Sequence, residues 1–319
     1  MTAPERTAGF REAEIDLAQL ARNVARFREL GEGKPLVVDV GANAWGHGLG
    51  VVVPALVELG AHGFVVARLD EAEHIRVLAP DALIVTTQHA ADEDFERAAV
   101  LGVSPAVRSR AEVDRSLAAG VRTILLVADD GAGLPALGPD ELRSAAAEAE
   151  SRGVIPLPAD AVAMAGPELL GVSEDDSSTE ASGYRPVLRL WGSVAATKRV
   201  GADEGVSYGY TYRTTGQTTL ALVTLGYSDG ISRSGGNQVP AALAGATHTV
   251  AGRVAMDAFM VDLGDVPAPA LGTEATVLGD ADRGEPTARQ QARILGMHSA
   301  EITTRLTARP RRYAAGAAR

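Results

Sequence analysis

Two side chains able to move protons lie where an apolar run gives way to glycine-punctuated loop. Residues 36–48 read LVVDVGANAWGHG. Asp39 interrupts the apolar run. A carboxylate inside a sheet has a perturbed pKa and could take or give a proton, or it could simply be bonded to a neighbour in the interior. His47, between Gly46 and Gly48, is of the one side-chain type that ordinarily titrates near neutrality. It serves a turn as readily as a reaction. Trp45 could floor an apolar pocket for a small molecule, or fill core volume. Asp129, Asp130 and Gly131 put two carboxylates at a strand end, but no histidine spacing of a metal site accompanies them. The glycines of ELGAHG and GDADRG belong to loops, and no phosphate-loop or dinucleotide-binding pattern follows a strand. The chain has no cysteine, which removes disulfides and thiolate metal sites.

The elements that must hold these residues follow from hydrophobic periodicity. After a short strand, Leu17, Leu20, Val24, Phe27 and Leu30 recur at helical spacing. Short apolar strands then alternate with helices: LVVDV, GFVV, ALIVTT, VSPAV and RTILLV, each followed by a helical stretch. Such alternation predicts βαβ units around a parallel sheet. VIPLP (154–158) and a segment near AMAGPELLG (163–171) bring the strands to six or seven. The stretch from Lys34 to Val172 is short of the about 200–250 residues that an eight-fold barrel takes. SEDDSSTEASG (173–183) is acidic and small-residue rich, as a linker or loop would be. Beyond Arg185 the runs are short, β-rich and split by glycines, so an all-β domain follows. A helix is expected at 287–296. The division expected is 12–178 for the (β/α)-barrel-like domain, 179–185 for a linker and 186–319 for the β-rich domain.

Net charge is −11 over 319 residues, which disfavours nucleic acid and anionic membranes as partners. No apolar run reaches membrane-spanning length. The N-terminus lacks an apolar signal region. A soluble, cytoplasmic protein is expected.

Several segments together resemble the alanine racemase family. LVVDVGANAWGHG is similar to that family's V-V-K-A-N/D-A-Y-G-H-G. VSYG, LGYSDG, GRVAMDAFMVDLGD and EITTRL follow in the family's order. The resemblance implies a barrel followed by a β domain, pyridoxal phosphate as cofactor, and a head-to-tail homodimer in which the β domain of one chain completes the barrel mouth of the other. It also implies roles. Tyr208 matches the family's second catalytic base, Tyr227 an active-site entrance tyrosine, and Met256 with Asp257 the loop that meets the partner. Asn43 matches a residue of the first strand's loop.

Other family positions differ. The lysine that forms the Schiff base is replaced by Gly41, which has no amine. The only lysines are Lys34 and Lys198, and Lys34 lies roughly 23 Å up the same strand. The arginine that binds the ring nitrogen becomes Met164, the isoleucine that follows becomes Pro167, and the phosphate-binding tyrosine becomes Ala300. The substrate-carboxylate arginine corresponds to Leu134. The lost βα unit takes with it the family's phosphate-binding segment.

Gly41, with Met164 and Ala300 in support, therefore leads to the expectation of a protein without pyridoxal phosphate or any other cofactor or metal. On that expectation it is a repurposed acid/base enzyme of isomerase, cyclase or epimerase type, with Tyr208, His47, Asp39 and Asp257 as catalytic candidates. Asn43, Trp45, Tyr227 and Met256 would then contact a small molecule. A non-catalytic ligand- or partner-binding homologue is the first alternative. A working alanine racemase is the second, and Gly41 opposes it.

Overall fold

The computed structural model describes residues 10–30, 33–129, 134–157, 162–173 and 183–316. Asp130, Gly131 and most of the acidic stretch (174–182) lie outside the described residues. The chain divides into two compact units: residues 27–44 with 48–166, and residues 1–26, 45–47 and 167–319. Each is described by itself. Strands are numbered along the chain from β1 (Arg11–Asp16), which belongs to the second unit.

The first unit is a parallel sheet of β2 (Leu36–Asp39), β3 (Gly63–Val66), β4 (Leu83–Thr86), β5 (Ser104–Val107), β6 (Thr123–Leu126), β7 (Ile155–Leu157) and β8 (Ala163–Ala165). Their order is β7-β6-β5-β4-β3-β2-β8, with every neighbour parallel. Crossover helices connect most of them, including Leu49–Glu58, Leu69–Leu78, Phe95–Leu101, Arg110–Ala118 and Pro139–Ser151. Polar caps start two of these: Asp94 accepts the Arg97 N–H at 2.9 Å and Ser109 that of Glu112 at 3.3 Å. Val37, Val65, Val85 and Ala106 form one buried layer across four strands. Among the described residues no strand joins β7 to β8, so the wall is open there. This is the incomplete barrel that the chain length predicts.

The second unit is built on β9 (Leu188–Val200), a strand of 13 residues. Its first half pairs with β1 and β16 (Glu274–Leu278), its second half with β12 (Thr218–Val223). The order β12-β15-β14-β13-β16-β9, with β9 also bonded to β12, closes an antiparallel ring. Its other members are β13 (Pro240–Leu243), β14 (Ala246–Ala251) and β15 (Phe259–Asp262). Closure leaves no open edge within the ring. The N-terminal strand β1, expected at the head of the barrel domain, instead lies beside β9 and pairs in parallel with β17 (Arg311–Ala315). A short ribbon, β10 (Gly205–Val206) and β11 (Tyr212–Arg213), carries the turn that holds Tyr208.

Candidate active site

In the barrel unit, Asp39 is the last residue of β2 rather than a mid-strand residue, and its Oδ1 accepts the Gly41 N–H at 2.9 Å. The next four residues, Ala42, Asn43, Ala44 and Trp45, have φ of 51°, 59°, 53° and 52°. A left-handed turn of L-residues costs about 1–2 kcal/mol per residue, so neighbouring bonds must impose it. Ala44 N–H reaches the Val40 carbonyl at 2.8 Å, Gly48 N–H the Asn43 carbonyl at 2.8 Å, and Ala42 N–H the Glu71 carboxylate at 3.0 Å. Asn43 is occupied structurally: its Oδ1 accepts the Leu49 N–H at 2.9 Å, which caps the helix that follows. Gly41 is not required sterically. A Cβ there would meet Asp39 Oδ1 at 3.2 Å and otherwise only Ala67 N at 3.9 Å. Met164 on β8 is half exposed, and Leu134 is exposed.

In the β unit the structure gathers Tyr208, Tyr227, Met256 and Asp257 around one segment, residues 252–257. Ser207 Oγ donates to the Arg253 carbonyl at 2.7 Å, fixing the turn that presents Tyr208. Tyr227 N–H reaches the Ala255 carbonyl at 3.0 Å and Ser228 N–H the Met256 carbonyl at 3.1 Å. Tyr208 is 74% exposed, Met256 53% and Tyr227 44%, an unusual concentration of large apolar side chains in water.

Asp257 sits in an ion-pair cluster. Arg309 Nη2 lies 2.6 Å from its Oδ1 and Arg11 Nη2 3.6 Å away. The Arg309 hydrogen bond, aided by the charges of both arginines, holds its carboxyl below the usual range. It is thus an ionised anchor more than a proton carrier. The same arginines reach the fully buried Asp229, from Arg11 Nε at 3.2 Å and Arg309 Nε at 3.5 Å. Asp229 Oδ2 also accepts the Gly226 N–H at 2.8 Å.

His47 lies elsewhere in this unit, fully buried and lining a cavity, with Nδ1 3.1 Å from the Trp45 carbonyl. Trp45 itself is partly buried. Ala300 is buried, and its N–H donates to the Ser173 carbonyl at 3.1 Å. Among the described residues no group of three His, Cys, Asp or Glu side chains could hold a metal.

Sequence reasoning missed Arg253, Tyr210 beside Tyr208, and the arginines Arg11 and Arg309. The Y-G-Y pattern could have pointed to Tyr210. Nothing local marks Arg11 and Arg309, which meet Asp229 only through the fold.

Residues 15–153 match the family profile of the alanine racemase N-terminal domain, and residues 187–314 that of the C-terminal domain. The chain belongs to the alanine racemase family. It is 35% identical to the alanine racemase of Streptomyces coelicolor over 94% of this chain and 95% of that one. That alignment is 374 positions long, more than the 319 residues present here, so it includes stretches that this chain lacks. The alanine racemase of Thermobifida fusca is 29% identical over 98% of this chain. Among solved structures, alanine racemases from Streptomyces coelicolor and Streptomyces lavendulae superpose with TM-scores of 0.83 each, at 32% and 30% identity, over 96% and 97% of this chain.

These relatives correct the expectation of a repurposed, cofactor-independent isomerase, cyclase or epimerase. Similarity along nearly the whole chain, to proteins named alanine racemase, outweighs the few residue types at Gly41, Met164, Pro167 and Ala300 on which that expectation stood. They correct the expectation of no cofactor too, because pyridoxal phosphate is the group that the alanine racemase family implies. The positions that the sequence resemblance matches to the family's cofactor contacts carry other residue types here. Gly41 supplies no amine, Met164 no cation, Pro167 no N–H and Ala300 no hydroxyl. Among the described residues no helix is long and apolar enough to cross a membrane.

Proposed function

We propose that the protein interconverts the enantiomers of alanine, as a head-to-tail homodimer in which Tyr208 moves the proton at the α-carbon. The observation that carries this reading is the 35% identity, over 94% of the chain, to an alanine racemase. Racemisation needs a proton removed from one face of a carbon and returned to the other, which calls for positioned acid–base groups. Tyr208 supplies one: it is held on a turn pinned to Arg253 and directed out of its own unit. A side chain so exposed needs another surface to exclude water around it, and a second copy of the chain provides one. Tyr227 and Met256, fixed to the same segment, fit the rim of such a contact.

The test is formation of D-alanine from L-alanine by the full-length protein, with and without added pyridoxal phosphate. Conversion in the presence of the cofactor is expected, falling at least about 100-fold in Tyr208→Phe, the usual scale for losing a general acid–base group. No conversion under either condition overturns the proposal. Undiminished conversion by Tyr208→Phe removes that residue from it.

A further inference from the structure

The β unit contains a cavity of about 410 Å³, lined wholly by its own residues. Protein interiors leave few voids larger than a water molecule, whereas small-molecule sites run from about 300 to 1,000 Å³. This volume takes a substituted six-membered ring and leaves too much space around a single ion.

Three properties of the lining narrow the choice. One wall is apolar, formed by Leu170, Leu188 and Leu278. The formal charges cancel: Asp280 and Asp282 stand against Arg185 and Arg289, and both guanidiniums are already engaged. A ligand with a net charge gains little from such a set, because each attraction is offset by a repulsion of the same kind. The third property is a group of unused acceptor atoms. Asp280 Oδ1 accepts from Arg185 Nη1 at 3.2 Å and from the Asp282 N–H at 3.0 Å, and Asp282 Oδ2 accepts from Arg185 Nη2. Asp280 Oδ2 and Asp282 Oδ1 accept from no group among the described residues. Thr303 is 1% exposed, and its hydroxyl donates to the Ala300 carbonyl at 3.1 Å. Its oxygen also accepts from no group among the described residues. Buried acceptors ordinarily find a donor, so the lining calls for a ligand rich in O–H or N–H groups.

We propose that this cavity binds an uncharged, polyhydroxylated six-membered ring, a monosaccharide in its pyranose form. Its hydroxyls donate to Thr303, Asp280 and Asp282, and the C–H face of the ring lies on the leucines. An ammonium ion also donates, but brings a net charge into a balanced lining. A hydrocarbon matches the leucines and leaves the acceptors unpaired. The proposal goes beyond the racemase reading and uses none of Tyr208, Tyr227, Met256 or Asp257.

D-Glucose is the probe. Titration calorimetry on the full chain should give a dissociation constant of about 1 mM or tighter. Protonated D-glucosamine and D-glucuronate, the same ring with one positive or one negative charge, should bind at least about tenfold more weakly. Thr303→Val keeps the side-chain shape, removes the acceptor, and should weaken glucose at least about tenfold. Asp282→Ala should weaken it as well, at a side chain 64% exposed on which folding does not depend. Ala288→Leu, which fills the cavity without altering charge, should abolish binding while the melting temperature stays near that of the parent. Three results would each overturn the proposal: no glucose binding, binding that Ala288→Leu leaves intact, or either charged sugar binding as tightly as glucose. No alanine enters the measurement, so its outcome is separate from that of the racemase test.

Discussion

Asp229 and Asp257 share the same two arginines, and for Arg309 distance and burial rank them in opposite orders. Arg309 lies 2.6 Å from Asp257 against 3.5 Å from Asp229, whereas Arg11 is nearer Asp229, at 3.2 Å against 3.6 Å. By burial Asp229 ranks first, since the Asp229 side chain is 0% exposed and that of Asp257 47%. Exposed ion pairs contribute little, because water already solvates both charges. Removing one partner of a buried pair strands the other without its counter-charge. Asp229→Ala would leave Arg11, only 16% exposed, without its buried partner, and would orphan the Gly226 N–H. The expected loss is about 3–5 kcal/mol. Asp257→Ala should change stability little. Urea unfolding followed by fluorescence of the buried Trp191 reads both variants. The midpoint for Asp229→Ala should fall by more than about 1 M, given an ordinary denaturant slope. Asp229→Asn keeps an acceptor for Gly226 but not the charge, and should lie between. Equal effects of the two alanine variants, or the reverse order, would refute the claim that burial decides.

Gly46→Ala should destabilise the protein by more than about 2 kcal/mol, because Gly46 has φ +83° and a Cβ there would lie 1.9 Å from the Thr303 carbonyl oxygen. A parental melting temperature would contradict this. His89 is buried between Thr86, Glu112 and Phe95, and desolvation lowers its pKa although Glu112 opposes the shift. The unfolded chain therefore binds the proton first, so stability is complete above about pH 6.5 and declines as pH falls below it. His89→Gln should flatten that decline in denaturant midpoints measured from pH 7 to 5, and an unaltered slope would count against the assignment. Burial and a hydrogen bond to Asp262 at 2.8 Å push the Tyr212 hydroxyl up to about 12. Its contribution is intact below about pH 10 and is lost as pH rises toward 12. Tyr212→Phe should remove that alkaline loss, as followed by melting temperature against pH.

Local pattern carried much of the architecture. Alternating apolar strands and amphipathic helices announce a parallel sheet because each crossover must bury one face of its helix on that sheet. The shortfall in length announces an open wall, and seven strands are found among the described residues. Residue type alone settles that Gly41 offers no amine, and no fold can alter that. Ordered motifs in the second half mark the family, yet they could not show which residues meet. Arg11 and Arg309 converge on Asp229 from opposite ends of the chain because β1 and β17 pair beside β9. Nothing in LVVDVGANAWGHG shows that four residues turn left-handed, since the local bonds to Val40 and Asn43 are joined by one from Ala42 N–H to the Glu71 carboxylate, outside the segment. His47 and Tyr208 read alike as proton carriers in sequence. The fold buries the first in a cavity and exposes the second. Burial and ion pairing are properties of neighbours brought from far along the chain, so only the tertiary structure could separate an anchor from a group free to react.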